Sequence, residues 1–417
     1  MEAFAGAEWE KLRSVALHRP SFETFFGIMT PKAELYERPF DREKALKEHD
    51  AFSSALKDSG VRVYMLHEAI KSNSSKSSVR RNLEKLAISS VIYSGKGSAA
   101  YKKQLLDYIS GYSAEDLLLM AELHPEARLS GNRLDFVVRE PLANLYFMRD
   151  QQVTSPNGLF LGNMSKARRR SETKITSLLF DSLGIKYVRP DYNGSTLEGG
   201  DFMPAGKFAL IGVGDRTSVK GAMSLIGKMD GFEEIAIVEQ PRHPLMLNGF
   251  DPMLDMHLDT YFNIAGDGIA VGQTDLLKLA RTTVYVKHGI GYEATKERTN
   301  LYEYITSKGF DLIGLSMLEQ ASFGSNFLCV RDRHILAIDC STTAKSVVRA
   351  FKSLSDSRKE YYSIYAELKR EYSKKRYMFP DNREMNEHDI DAVKLGFSNL
   401  TGGYGGAHCM SCVIRRG

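Results

Sequence analysis

The most restrictive feature of the sequence is a hydrophobic pattern that recurs from Asn144 onward. Each recurrence has a strand, a turn, a second strand, a helix and a third strand, in that order. The stretches that follow the pattern are 144–188, 197–239, 257–285 and 322–352. Strands that alternate with helices four or five times along a chain predict an α/β fold built from repeated units.

The residues before Asn144 begin with elements of the same kinds. Residues 8–18 end in an alternating apolar strand that stops at Pro20, and residues 41–58 have the apolar spacing of an amphipathic helix. A further strand is predicted from Val61 to Leu66. We therefore expect the N-terminal residues to belong to the same α/β fold.

The composition changes after this strand. Lys71 to Ser78 is a polar stretch that predicts a linker, and the residues that follow it to about 128 have a helical pattern. We expect residues 71–128 to form an inserted helical subdomain. Residues 1–70 and 129–417 are expected to form one α/β domain.

Composition and charge exclude several classes of protein. The 417 residues are 43% hydrophobic and 26% charged, as in soluble globular proteins. A net charge of +4 is too small to predict nucleic acid as a partner. No apolar run approaches the roughly 18–20 residues of a membrane span, and the N-terminus has no signal-peptide pattern. Four cysteines do not make a disulfide framework in so long a chain. These features predict a cytoplasmic protein.

A glycine-rich segment near the C-terminus leads to Cys409. Its glycines flank Tyr404 and permit backbone conformations and close approaches that other residues forbid. A cysteine at the end of such a loop, before the apolar Val413, is a candidate nucleophile. Alone, the segment is better explained as a turn before an edge strand with a buried cysteine. Redox or zinc chemistry of Cys409 with Cys412 is disfavoured, because no second cysteine pair accompanies them.

Three upstream motifs carry acidic or imidazole side chains. Asp150 directly follows an apolar strand, and Glu198 and Asp201 flank a glycine pair. His257 and Asp259 are expected to share one face of a strand, because side chains alternate there with a period of two. Each residue also has an ordinary structural explanation: a turn cap for Asp150, arginine partners for the other carboxylates, and a buried core position for His257.

In this order, and followed by Cys409, the motifs resemble those of the arginine deiminases. The resemblance covers nearly the whole chain, including the Asn144–Asp150 segment, Arg169 with Glu172, and Gly406 to Ser411. It implies the pentein fold of the guanidine-modifying superfamily, which is a five-bladed α/β propeller around a polar site.

The resemblance also implies a role for each motif. Cys409 would attack the guanidinium carbon, and His257 would shuttle protons. Asp150 and Asp259 would hold the guanidinium nitrogens, while Glu198 would orient His257. No metal and no organic cofactor is expected.

Recognition of the amino-acid end of L-arginine would fall to a second set of residues, matched by position. The expected substrate-binding residues are Asn144, Arg169, Asp201, Arg216 and Tyr404. Some members of the family carry an arginine where this chain has Tyr404. Met148 replaces the usual threonine before the Arg-Asp pair. These departures affect substrate binding more than the chemistry.

The activity implied is hydrolysis of L-arginine to L-citrulline and ammonia through a covalent S-alkylthiouronium intermediate on the cysteine. Two alternatives share the same reacting groups: an amidinotransferase that passes the amidino group to an amine, and an arginine dihydrolase that gives ornithine and two ammonia. Arg169 and Arg216 argue against agmatine, which lacks the carboxylate. A catalytically inactive binding protein is disfavoured because each core position is filled, and a homo-oligomer is left open.

Overall fold

A computed structural model describes residues 2–130, 133–246, 254–296, 298–374 and 377–417. A three-stranded unit recurs along these residues. Two of its strands pair antiparallel, and a helical crossover leads to a third strand that pairs parallel with one of them. Parallel neighbours need such a crossover, because no tight turn can join them. The chain therefore has the repeated α/β organisation that the sequence predicts.

The first unit joins the two ends of the chain. Its sheet has the order β2-β1-β21, so that the last strand lies against the first. Its elements are β1 (Leu12–Leu17), α1 (Glu23–Met29), α2 (Arg42–Asp58), β2 (Arg62–Met65) and, from the C-terminus, β21 (Cys412–Arg416). The predicted strand, helix and strand of this region are confirmed. Helix α2 begins after Asp41, whose side chain accepts a hydrogen bond from the Lys44 N–H.

Helices and a small sheet follow the first unit. Their bounds are α3 (Leu66–Asn73), α4 (Ser77–Ser90), β3 (Ile92–Gly95), α5 (Ser98–Tyr108), α6 (Ala114–Leu123), β4 (Pro125–Ser130) and β5 (Arg133–Val138). Val79, Leu83 and Ala87 form the buried stripe of α4. One apolar cluster joins them to Leu117 of α6 and Leu178 in the next unit.

Two details of this region differ from the sequence interpretation. The polar stretch from Lys71 to Ser78 is mostly helical. The side chains of Ser72 and Asn73 donate hydrogen bonds to backbone carbonyl oxygens of the preceding turn. The segment also contains strand β3, which pairs with β4. The division of the chain into an α/β domain and an inserted subdomain at 71–128 stays a prediction.

The second and third units follow the predicted pattern. The second has the order β6-β7-β8 and consists of β6 (Gln152–Ser155), β7 (Gly158–Leu161), α7 (Glu172–Leu183) and β8 (Tyr187–Val188). The third consists of β9 (Phe202–Ala205), β10 (Phe208–Val213), α8 (Val219–Ile226) and β11 (Glu234–Glu239). The helix predicted near Ser171 is α7.

The fourth unit corrects the prediction for 257–285. Its elements are β12 (Phe262–Gly266), β13 (Ile269–Gly272), α9 (Thr274–Leu279), α10 (Leu301–Ser307) and β17 (Asp311–Gly314). The intervening strands are β14 (Arg281–His288), β15 (Gly291–Ala294) and β16 (Thr299–Asn300). The first of these pairs with β11 and extends the sheet of the third unit. The parallel third strand of the fourth unit is therefore β17, which comes later in the chain.

The fifth unit begins with α11 (Met317–Ala321) and has the sheet order β18-β19-β20. Its other elements are β18 (Leu328–Arg331), β19 (His334–Ile338), α12 (Cys340–Ser357), α13 (Tyr362–Ser373), α14 (Arg383–Glu387) and β20 (Asp391–Leu395). Helix α15 (Ala407–Met410) then precedes β21. Among the described residues, no helix is both long and apolar enough to span a bilayer.

One strand of each antiparallel pair is preceded by a short segment that carries polar side chains. We call residues 149–150, 198–201, 257–260, 325–326 and 407–410 the five pre-strand segments; each ends within two residues of the start of β6, β9, β12, β18 or β21, respectively. Because the units repeat one topology, these segments occupy equivalent positions in their units. The fold thus brings together residues that are far apart in the sequence.

A buried ion pair fixes the strand that closes the first unit. Arg416 on β21 donates to Glu8 at 2.7 Å and to the carbonyl oxygens of Glu10 and Cys329. Burial opposes the ionisation of Glu8, but the charges of Arg416 and Arg149 hold its pKa well below the usual range. Glu8 is therefore ionised, and the burial of its charge depends on the pairing with Arg416.

We expect Arg416→Ala to lower the free energy of unfolding by about 3–5 kcal/mol, because it leaves the Glu8 carboxylate buried without its main partner. Urea denaturation at pH 7 measures the change. The matched control is Arg415→Ala, since Arg415 is the exposed neighbour on the same strand, and a change within about 0.5 kcal/mol is expected there. Equal losses in both variants would contradict the assignment.

Candidate active site

Cys409 lies on α15 and is buried at the junction of several pre-strand segments. The side-chain oxygen of Asn326 accepts hydrogen bonds from the backbone N–H groups of Cys409 and Gly406, at 3.0 and 2.9 Å. The amide nitrogen of Asn326 lies 3.1 Å from Sγ of Cys409. Asn326 therefore fixes the cysteine segment and contacts its sulfur.

Sequence reasoning missed Asn326. Its signal is positional, because it precedes β18 by the same short interval at which Asp150 precedes β6. The predicted strand after Cys409 is confirmed as β21, and the redox-type partner Cys412 is buried in that strand. Burial raises the pKa of Cys412 to about 12, so its thiol stays protonated.

The glycines before Cys409 let the loop pack closely against the protein itself. A Cβ at Gly403 would lie 1.7 Å from the hydroxyl of Tyr146, and one at Gly406 would lie 2.2 Å from Cδ1 of Ile338. Tyr404 between them adopts a left-handed conformation with φ of 77°. Its ring packs edge to face on Phe323. Side chains larger than hydrogen are excluded at both glycines.

His257 lies against Glu198 and Asp150. Its Nε2 is 3.0 Å from Oε2 of Glu198, and its Nδ1 is 3.7 Å from Oδ1 of Asp150. The other oxygen of Glu198 accepts the backbone N–H of Ser165 at 2.8 Å. The glycine pair permits this approach, because a Cβ at Gly200 would lie about 3.0 Å from the imidazole ring. The predicted contact between Glu198 and His257 is present in this geometry.

The expectation that His257 and Asp259 share a strand face is wrong. Residues Leu258–Thr260 form a turn of 3₁₀ helix, and the strand begins only at Phe262. Asp201 holds this turn by accepting the Leu258 N–H at 3.1 Å. Because of this turn, the two side chains contact different partners. The alternation of side chains along a strand does not predict this arrangement.

Asp150 and Asp259 each have one engaged and one open oxygen. Oδ2 of Asp150 accepts from Arg169 at 2.7 Å. Oδ2 of Asp259 accepts from Nδ1 of His408 at 2.8 Å and lies 3.5 Å from Sγ of Cys409. Both Oδ1 atoms are buried, and among the described residues neither has a hydrogen-bond partner. Such an oxygen is costly to bury, so a donor from a ligand would be strongly favoured there.

The local charges set the protonation of the imidazole. Burial disfavours the imidazolium of His257, but the charges of Asp150, Asp201 and Glu198 outweigh burial and raise its pKa to about 9. Burial likewise disfavours ionised Glu198, yet its hydrogen bond to His257 and the charge of Arg216 hold its pKa well below the usual range. Burial raises the pKa of Asp201 to about 7. His257 is therefore cationic at neutral pH.

The same charges act on the thiol in the opposite direction. Burial raises the pKa of Cys409 well above its usual value, and the charges of Asp259 and Asp150 raise it further. The ligand-free site consequently favours a thiol at Cys409 beside a cationic His257. A cation that binds between the carboxylates would counter their effect and favour the thiolate.

Arg169 lies among carboxylates. It donates to Asp150 at 2.7 Å and to Glu172 at 2.9 Å, and it lies 3.9 Å from Glu198. Burial disfavours its cation, but the charges of these carboxylates outweigh burial and raise the pKa of Arg169. Arg169 therefore fixes Asp150 in addition to any role toward a substrate.

The remaining predicted substrate residues line a small cavity. The cavity is bounded by Leu35, Asn144, Phe147, Asp150, Arg169, Arg216, Met256, His257, Gly403, Tyr404 and Cys409. Its volume is about 20 Å³, enough for one water molecule. Asn144 also donates to the carbonyl oxygen of Glu34 at 2.7 Å. Asp201 is directed to the 258–260 turn instead. An arginine-sized ligand therefore requires the cavity to widen.

A second imidazole connects this site to the chain termini. His408 contacts Asp259 through Nδ1 at 2.8 Å, and its Nε2 lies 3.7 Å from Oε1 of Glu8. Glu8 in turn pairs with Arg416. Burial opposes ionisation of Asp259, but the hydrogen bond from His408 lowers its pKa. The sequence analysis did not identify His408 as a site residue, because its neighbour Cys409 was sufficient to explain the motif from Gly406 to Ser411.

Solved structures have the same fold at low sequence identity. The N-terminal domain of ArgZ, an arginine dihydrolase from the ornithine–ammonia cycle in cyanobacteria, superposes with a TM-score of 0.53 at 10% identity. The superposition covers 97% of this chain and 98% of that one. This similarity supports the α/β fold class.

Comparison of sequences gives information on the family of the chain as well as on its fold. The arginine deiminase of Halobacterium salinarum is 26% identical, over 99% of this chain and 96% of the relative. That of Limosilactobacillus reuteri is 24% identical, over 98% and 97%. A family model described as arginine deiminase matches residues 33–416. Since the match spans nearly all of the sequence, the chain belongs to the arginine deiminase family.

Proposed function

We propose that this chain hydrolyses L-arginine to L-citrulline and ammonia, as a hydrolase acting on the C–N bond of a linear amidine. The observation that carries the proposal is the pair of open oxygens on Asp150 and Asp259 next to Cys409 and His257. Two buried carboxylates with unused acceptors suit a planar cation with several N–H donors. Membership of the family supports the same activity.

Substrate binding begins with the guanidinium. Its N–H groups donate to Oδ1 of Asp150 and Oδ1 of Asp259, as charge-assisted hydrogen bonds that fix the plane of the group. The positive charge of the substrate offsets the carboxylates that raise the pKa of Cys409. Binding therefore increases the thiolate fraction when the substrate is in position.

The first chemical step forms the Cys409 Sγ–carbon bond and gives a neutral tetrahedral adduct. The imidazolium of His257 donates its proton to a nitrogen of the adduct, the C–N bond breaks, and ammonia leaves. The product of this step is an S-alkylthiouronium cation on Cys409, with His257 neutral.

The second step consumes water. Neutral His257 accepts a proton from the water, and the resulting hydroxide adds to the thiouronium carbon. The carbon–sulfur bond breaks, Cys409 leaves as a thiolate, and release of the hydroxyl proton to solvent gives citrulline. Glu198 stabilises the imidazolium in both steps through its 3.0 Å contact with His257.

We further propose that Asn144, Arg169 and Arg216 bind the amino-acid end of arginine, with Asp201 and Tyr404 as additional contacts. Asn144, Arg169 and Arg216 line the cavity that holds Cys409, and an arginine fork matches a carboxylate in two hydrogen bonds. Arg216 is 1% exposed and lies within 3.7 Å of Asp215.

The arrangement of the units supports a five-bladed α/β propeller. Hydrogen bonds link the pre-strand segments in order: Gly199 N to Asp150 O, Leu258 N to Asp201, Asn326 to Asp259 O, His408 N to Asn326 O, and Arg149 N to Cys409 O. The last of these returns to the first segment. A cyclic arrangement of five blades accounts for that return.

The remaining expectations stay predictions. The partner is a small molecule, L-arginine, with no nucleic acid or membrane partner expected, and a homo-oligomer is left open. The cytoplasmic location rests on cysteine usage, and the four cysteines are unpaired in the structure.

Incubation of the purified chain with L-arginine alone tests the activity directly. Citrulline and one ammonia per turnover support the proposal. Ornithine with two ammonia would indicate a dihydrolase, and turnover that depends on an added amine would indicate an amidinotransferase.

We expect Cys409→Ser to abolish turnover, because a serine hydroxyl does not supply the accessible anion of a thiol. Cys412→Ser is the matched control and should retain most of the activity, since Cys412 is buried in β21. Mass spectrometry of an acid-quenched reaction should find the amidino adduct on the Cys409 peptide. An adduct on Cys412 would refute the mechanism.

The rate constant kcat/KM should fall as the pH rises through about 9, because His257 then loses the proton that it gives to ammonia. The pKa is raised above the ordinary value of His, so the active protonated form is present below this range. Glu198→Gln removes one charge that raises the pKa of His257, and the descending limb should move to lower pH. The α-amino group of the substrate also titrates, but it is unchanged by this substitution. A limb that stays in place would exclude His257 as its origin.

We expect Arg216→Ala to raise the KM for arginine more than Tyr404→Phe does. A charge-assisted hydrogen bond contributes about 1.5–3 kcal/mol, against about 0.5–1.5 kcal/mol for a neutral one. Arg216 is a cleaner test than Arg169, which also holds Asp150. The preference for arginine over agmatine should narrow in Arg216→Ala. If the wild-type chain turns over both substrates equally, the carboxylate is not recognised.

A further inference from the structure

A second cluster of histidine and glutamate side chains lies outside the active site, where β1 ends near α3 and α6. His18 follows β1, His67 lies on α3 and Glu122 on α6. One nitrogen or oxygen atom from each lies within 4.8 Å of the other two. The two imidazole rings pack edge to face, and Oε1 of Glu122 accepts from Nε2 of His67.

The carboxylates of this cluster are buried and only half used. Glu122 and Glu23 are 1% and 0% exposed. Oε1 of Glu23 lies 3.1 Å from Nε2 of His18. The Oε2 atom of each glutamate is buried, and within the described residues it has no hydrogen-bond partner. Two unsatisfied carboxylate oxygens beside two imidazoles suit a ligand that accepts electron pairs.

The balance of charge points to a cation. Among the described residues, the ion-pair partners of Glu23 and Glu122 are His18 and His67. The neighbouring Lys71 is engaged by Glu115 at 3.0 Å. Within the described residues, neither carboxylate has a lysine or arginine as an ion-pair partner, so the cluster suits one divalent cation.

The active site differs in this respect. Asp150, Glu198 and His257 also lie close enough together to hold a metal ion. There, however, Arg169 lies 2.7 Å from Asp150 and 3.9 Å from Glu198. Arg169 therefore already pairs with Asp150 and lies near Glu198, and a metal ion would have to displace it.

We propose that His18, His67 and Glu122 bind a divalent transition-metal ion of the zinc class, with Glu23 as a fourth ligand or as the carboxylate that orients His18. Imidazole nitrogen and carboxylate oxygen are ligands that Zn²⁺ accepts in tetrahedral sites. Zinc bonds of about 2.0–2.2 Å draw the ligand atoms closer together. The His67 side chain is 28% exposed, so it gives the ion a route from solvent and can rotate to bind.

The ion would have a structural role and would take no part in the reaction on arginine. His18 and Glu23 belong to the first unit, whereas His67 and Glu122 come from helices that follow it. A shared metal ion would tie these helices to the end of β1. Because such an ion binds only the folded chain, it raises the stability of that chain.

Titration of the full-length, EDTA-treated chain with Co²⁺ tests the proposal. We expect one Co²⁺ per chain, visible ligand-field bands typical of nitrogen and oxygen ligands, and no near-ultraviolet band from a cobalt–thiolate bond. Zn²⁺ should displace the Co²⁺ and raise the midpoint of thermal unfolding. Binding only with a thiolate band would assign the ion to a cysteine and overturn the proposal.

Two variants keep the test independent of any single loss of folding. His67→Ala and Glu122→Gln should each weaken Co²⁺ binding by at least about tenfold, with circular dichroism as the check on folding. The matched control is His288→Ala, because His288 pairs with Glu293 at 3.4 Å in an exposed position, and it should bind Co²⁺ as the wild type does. No binding by the wild type, or undiminished binding by both variants, would mean that the cluster consists of histidine–carboxylate pairs alone.

Discussion

The active site depends on hydrogen bonds between segments that no turn connects. Each pre-strand segment is held by the next through a backbone or side-chain bond, from Asp150 around to Cys409 and Arg149. In four of these bonds the donor is a backbone N–H, and in the fifth it is the side-chain amide of Asn326. Asn326 has the most connections: its amide holds the Cys409 segment on one side and the Asp259 carbonyl on the other. A repeated fold therefore supplies equivalent positions, and single residues adapt each position to its chemistry.

The carboxylates explain why such a site is stable without substrate and still prepared for one. Burying Asp150 and Glu198 beside Asp201 would be prohibitive without cations, and Arg169 with the imidazolium of His257 provides them. The compensation is incomplete, since one oxygen of Asp150 and one of Asp259 stay without a donor. In the proposed reaction, a guanidinium supplies the missing donors. Burial and the charges of Asp259 and Asp150 raise the pKa of Cys409, so that in this proposal the bound cation would also favour the thiolate.

The sequence predicted the parts of the fold that follow from local periodicity. The strands of the second and third units, α2 and α7 appear where their apolar spacing places them. Two predictions were wrong for the same reason. Each depends on a contact between residues that are distant in the sequence, and such contacts leave no local pattern. Strand β14 has the pattern of a third strand for its own unit, yet it pairs with β11. Residues 256–259 alternate in polarity, yet the carboxylate of Asp201 holds Leu258–Thr260 as a turn. Asn326 lies in no distinctive motif, and His408 lies in a motif that Cys409 alone explained, so only their positions before β18 and β21 indicate them.

The chain termini are part of the catalytic arrangement for a physical reason. Cys409 precedes β21, and β21 is held in the first unit by β1 and by the Glu8–Arg416 pair. Glu8 also faces His408, which fixes the Asp259 oxygen that lies 3.5 Å from the sulfur. A buried carboxylate–imidazole–carboxylate chain thus runs from the first residues of the protein to the neighbour of the nucleophile. Each member restrains the next only if it keeps its own partner. Sheet closure and the orientation of Asp259 therefore rest on the same side chains, so that loss of the Glu8–Arg416 pair would also disturb the contact between His408 and Asp259.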